Sequence, residues 1–103
     1  MAVTVCNIEG IIIAMNPRAG ETFERDGGLR LIGKSLYDCH PPRASELIRA
    51  LIRENRSKTY TIEKKGMKKL IHQTPWIRDG KVAGLVEFSI VLPDQMPHFV
   101  RGA

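Results

Sequence analysis

The sequence predicts an α+β fold in which helices cover one face of a five-stranded antiparallel sheet. Three observations predict it. Glu9-Gly10, Lys65-Gly66 and Asp79-Gly80 are tight-turn dipeptides set between β-rich segments. Residues 42–55 carry Leu47, Ile48, Leu51 and Ile52 at helical spacing, while Glu46, Arg49, Arg53 and Glu54 turn away from that stripe. The last 45 residues read as three antiparallel strands joined by two hairpins.

Along the chain, a strand from Val3 to Ile8 turns at Glu9-Gly10 and returns as Ile11 to Met15. Asn16 reads as an N-cap, and Pro17 stands at the first helical position, where its missing N–H costs nothing. The helix it opens should run from Pro17 to about Arg25, with Ala19 and Phe23 on one face, and end at Asp26-Gly27-Gly28. Leu29 to Leu36 suits a helical turn followed by an extended piece. Cys39-His40-Pro41-Pro42 is a stop and a restart, because proline bars its predecessor from helix and presets its own φ for a first turn. A helix from about Pro42 to Asn55 follows, and then three strands joined by two hairpins.

Register follows from the turns. With two-residue loops, Glu63 faces Lys68, Tyr60 faces Ile71 and Thr59 faces His72. Across the next hairpin Gln73 faces Val86, His72 faces Glu87 and Ile71 faces Phe88. One face then carries Tyr60, Ile62, Ile71, Gln73, Ile77, Val82, Val86, Phe88 and Ile90 and should meet the helices. The other carries Leu70, His72, Trp76, Leu85 and Glu87 among threonines and Ser89.

Residues 1–103 are one domain, with room for one core, and 43% apolar content argues against disorder. No apolar run approaches the ~20 residues that cross a bilayer, and no basic flank precedes Ile11–Met15, so a cytoplasmic setting is expected. Cys6 and Cys39 are too few for a disulfide framework and read as reduced, small apolar residues, with no clustered ligand set for a metal. The net charge of +5 is spread out except at Lys64, Lys65, Lys68 and Lys69, around Gly66. No aromatic residue is interleaved there, which argues against nucleic acid.

Glu9-Gly10, Asn16 with Ala19, Leu31-Ile32-Gly33-Lys34, the helix at 42–55, Pro75, and Asp79-Gly80 followed by Gly84 together resemble a PAS domain across the whole chain. Cys39-His40-Pro41-Pro42 with Pro97-His98-Phe99 resembles a small bacterial or archaeal group of stand-alone PAS proteins. The resemblance implies strand order 2-1-5-4-3, with helices on one face enclosing a cavity. In some members that cavity holds haem, flavin, aromatic compounds or carboxylates, and in many it holds nothing. It also implies signalling through the sheet or through a helix leaving the last strand. Ten residues follow Leu92-Pro93, so the signal is expected to pass to a separate partner protein or within a homodimer.

His40 is the one residue that suits a haem ligand, but its place before two prolines equally suits a bond to a loop carbonyl, and haem is not expected. A flavin photocycle would want Asn-Cys-Arg where this chain has Asp38-Cys39-His40. His72 and Glu87 read as a cross-strand pair and not as an acid–base dyad, and no activated nucleophile or phosphate loop occurs, so catalysis is not expected. Leu70, Trp76 and Leu85 form a candidate interface on the outer face. Phe23, Ile48, Leu51, Ile52, Tyr60, Ile62, Ile71, Gln73, Val86 and Phe88 form a candidate pocket, with Tyr60 and Gln73 its polar groups or each other's partners. The expected function is a sensory module that binds a small ligand non-covalently or relays a signal by protein contact. Its rival is a ligand-free scaffold for dimerisation or docking.

Overall fold

In the computed structural model, which describes residues 1–38 and 41–102, the turn dipeptides shape the sheet. Strand β1 (Ala2–Asn7) meets β2 (Ile12–Met15) through a turn tied by the Asn7 side chain, whose Oδ1 accepts from the Glu9 and Ile11 amides, both at 3.0 Å. Asn16 caps helix α1 (Pro17–Thr22), accepting from the Ala19 amide at 2.9 Å. The same oxygen accepts from the Val3 amide at 3.0 Å, so the cap also pins the helix to β1. The predicted helix to Arg25 is shorter than expected. It gives way to 3-10 turns at Glu24–Asp26 and Gly28–Leu31, with another at Leu36–Asp38.

Helix α2 (Pro42–Glu54) starts on proline and ends where Asn55 takes a left-handed conformation, φ 49°. Strands β3 (Lys58–Lys64), β4 (Met67–Arg78) and β5 (Lys81–Val91) complete a five-stranded antiparallel sheet of order β2-β1-β5-β4-β3. Both turn residues are left-handed in each late hairpin: Lys65 and Gly66 at φ 52° and 77°, Asp79 and Gly80 at 51° and 78°. That is the type I′ pattern two-residue hairpins need. Pro75 lies past the last β3 pair, Lys58 with Gln73, so its missing N–H falls on a free stretch of β4.

The β3–β4 register is as expected, with Tyr60 opposite Ile71 and Glu63 opposite Lys68. The β4–β5 register is not. Arg78 faces Lys81 and Ile77 faces Val82, but Trp76 then faces Gly84, leaving Ala83 as the extra residue of a bulge. Every later pair moves by one: Gln73 faces Glu87, His72 faces Phe88 and Ile71 faces Ser89. The cause is local. A Cβ on Gly84 would strike the Cys6 carbonyl oxygen and lie 2.7 Å from Trp76 Nε1, so only glycine lets the indole cross β5 there.

The bulge exchanges the faces of β5 beyond Gly84. Leu85, expected outside, is 3% exposed and packs with Cys6, Ile48, Leu51 and Ile52 in the core beneath α2. Val86, Phe88 and Ile90, expected inside, share the outer face with Thr74, His72 and Leu70. Leu47, placed on the buried stripe of the helix, is 50% exposed; Ser45 takes its place facing inward, near the Tyr37 carbonyl at 3.4 Å.

Candidate functional site

The helix side of the sheet has two unlike ends. Beneath α2 the space is closed by the Ile48, Leu51, Ile52 and Leu85 cluster. Beneath α1 and the 3-10 turns it is open, as two adjoining lobes of about 160 and 140 Å³ that share Thr4, Phe23 and Glu87. Tyr60, Ile62, Ile71 and Ser89 line the first, with Lys64 and Lys69 at its rim. Ile12, Met15, Leu31 and Asp26 line the second.

Alternation explains who is there. Thr4 on β1 pairs with Glu87 on β5, and Glu87 pairs with Gln73 on β4, so these three form one inward rung. Ala2, Ser89, Ile71 and Tyr60 form the next. Phe23 closes the space from above, where α1 ends and its amide bonds to the Ala19 carbonyl at 3.1 Å. Burial raises the phenol of Tyr60 above the ordinary tyrosine range, and the Glu87 carboxylate adds to the rise. Burial likewise raises the thiol of Cys6, again with Glu87 contributing. Glu87 thus adds to both rises, behind burial.

Of the candidate pocket residues, Phe23, Tyr60, Ile62 and Ile71 come together around the first lobe. Ile48, Leu51 and Ile52 belong to the closed core instead, and Val86 and Phe88 lie on the outer face. Gln73 faces inward opposite Lys58 and Glu87, yet lines neither lobe. Of the candidate interface residues, Leu70 and Trp76 are on the outer face and Leu85 is not. His72 and Glu87 lie on opposite faces: His72 Nδ1 is 2.7 Å from Thr59 Oγ1, and its ring stacks on Phe88 at 6.3 Å. Cys39 and His40 lie outside the described residues. Reading from sequence missed Thr4, Glu87 and the two rim lysines. The available signal was Gly84, since a lone glycine inside a strand marks a bulge or a close backbone approach.

No protein-family model matches the sequence, and no curated protein matches it. Solved structures do match in fold. VqmA of Vibrio cholerae, described as a dimer in the absence of its target DNA and discussed with LuxR-type receptors, superposes with a TM-score of 0.68 at 19% identity, over 90% of this chain and 46% of its own. This chain thus spans about half the length of VqmA, which has also been solved bound to DPO. The PAS domain of the histidine kinase ThkA superposes at 0.68 and 15% identity, over 87% of this chain and 99% of its own. The Aer2 receptor of Vibrio cholerae, described as a dual PAS-haem oxygen sensor, gives 0.66 and 17%, over 89% and 94%. Among the described residues no helix is long and apolar enough to cross a membrane. Strand order, helix placement and these superpositions agree: the chain has the PAS fold.

Proposed function

We propose that this chain is a cytoplasmic sensory module that holds a small molecule non-covalently between its sheet and α1, and passes the signal on by protein contact without catalysis. The observation that carries this is the pair of lobes meeting at Glu87 and Thr4, an apolar shell with a few convergent polar groups. Their size bears on what enters. An apolar cavity of ~150 Å³ takes one benzene ring, whereas drug-sized pockets begin near ~300 Å³. Each lobe, of about 160 or 140 Å³, thus takes a single ring, which supports a small ring compound over haem or flavin. The receptors of similar fold, one bound to DPO and one described as a haem sensor, lend the reading general support.

The outer sheet face supplies the second half of the reading. Leu70, Val86, Phe88 and the Trp76 ring form a half-buried apolar surface there, and a second copy of the chain is its proposed occupant, as VqmA is described as a dimer. Denaturing extraction of the purified protein, with mass spectrometry and an absorbance spectrum, tests the ligand. One stoichiometric small molecule is expected, lost in Phe23→Trp, whose larger ring fills the shared wall of the lobes. An empty wild-type protein that also takes up no added single-ring compound would leave the ligand-free scaffold.

A further inference from the structure

We infer that the ligand is a single-ring organic acid, its ring in the first lobe and its carboxylate held at the rim by Lys69 and Lys64; this rests on the ligand-binding reading above. The inner face of the β3–β4 hairpin changes character along its length. Lys69 pairs with Ile62 and Met67 pairs with Lys64, so alternation places Tyr60, Ile62 and Ile71 inward first and Lys64 and Lys69 inward next. Arg18 and Thr22 of α1 face these lysines across a basin of about 280 Å³, which Lys65 and Glu21 also line.

The basin shares walls with the interior. Thr22 and Lys69 line the basin, the first lobe and a third hollow beside Ser89. Lys69 is thus the hinge between surface and lobe, and it is half-buried. A half-buried ammonium wants a counter-charge. Among the described residues, Lys64, Lys65 and Lys69 make no ion pair, and the basin's one carboxylate, Glu21, is taken by Arg18 at 3.1 Å. The basin therefore sets three lysines, outside any ion pair among the described residues, beside a lobe of one ring's volume whose own carboxylate is Glu87.

The deep end sets the ligand's polarity. Glu87 stands there, with Asp26 beside the second lobe, so an anionic group must sit at the lysine end. A carboxylate offers about four acceptor sites, so Glu87 can take a hydrogen bond from a ligand hydroxyl and keep its other contacts. The ring acid so described carries a donor opposite its carboxylate. A different physical reading of the same lysines is that inward charge on the edge strand β3 guards against strand-to-strand aggregation. That reading predicts no preference for acids.

Calorimetric titration with para-hydroxybenzoate and its neutral analogue para-hydroxybenzamide separates these. The acid is expected to bind at least about ten-fold tighter than the amide, the scale of one charge-assisted contact. Lys69→Met, which keeps the apolar stem, should erase that preference by weakening the acid at least about ten-fold while the amide loses far less. Lys64→Gln should reduce it, and both variants should melt as the wild type does. Equal binding of acid and amide, or a preference that survives Lys69→Met, overturns the acid inference while ligand binding stands. Failure of both probes on protein stripped of co-purified material also overturns it, and the extraction experiment then decides the ligand reading independently.

Discussion

The indole of Trp76 reaches over Gly84 of β5 and donates to the Cys6 carbonyl of β1 at 2.9 Å, so one side chain of β4 links three strands. Arg78 lies over the same ring, 5.1 Å from its centroid. A tryptophan first read as an exposed interface residue is therefore also a fastener, and its substitution has two consequences. Trp76→Phe removes the donor and with it the tie from β4 to β1, a loss of about 0.5–1.5 kcal/mol. Gly84→Ala forces a methyl against the Cys6 backbone, where nothing flexible can yield, and should cost about 3 kcal/mol or more. Because both changes break one junction, the double variant should lose less than the two single losses added together. Urea denaturation of the three variants measures this; strict additivity would mean that the indole and the glycine act separately.

Among the elements, α2 shows how far periodicity alone can be taken. The stripe of Leu47, Ile48, Leu51 and Ile52 correctly marked the helix and its inward side, but a 3.6-residue period does not fix which margin of the stripe is covered. The sheet lies under Ser45, Ile48, Leu51 and Ile52, so Leu51→Ala should cost about 2–5 kcal/mol and Leu47→Ala no more than about 0.5. Equal losses in a thermal melt would place the helix a partial turn away from its position here. The hairpins were legible for a comparable reason: Lys65-Gly66 and Asp79-Gly80 demand one backbone geometry, and that geometry sets the first pairs. What followed Asp79-Gly80 was not legible, because Val82 to Val86 is small or apolar throughout and alternation carries no signal in such a run. The bulge there moved Glu87 into the interior and Leu85 into the core. Val86 and Phe88 of the candidate pocket changed face with them, while Phe23, Tyr60, Ile62 and Ile71, which do not depend on that turn, stayed together.

At the scale of the whole molecule, the sheet has helices on one face and apolar side chains on both. Leu70 pairs with Ile90 and with Thr61 on the outer side, and Val86 and Phe88 continue the surface toward β1. An exposed apolar patch on a small domain marks an interaction surface. The proposed dimer places this face against its copy, and Trp76→Glu would not test it cleanly because it would also unfasten β1. Leu70→Glu is the cleaner change, since Leu70 is half-buried on the outer face and belongs to neither the core cluster nor the lobes. Light scattering should give a dimer for the wild type and a monomer for Leu70→Glu, with unchanged circular dichroism and binding of any co-purified ligand retained. A charge buried in the centre of such an interface is left unpaired twice over, once in each subunit, so association should be weakened at least about a hundred-fold, the scale of a buried unpaired charge. A wild type that stays monomeric at high concentration, or a Leu70→Glu protein that stays dimeric, would remove the outer face as a self-association surface and leave it to a different partner.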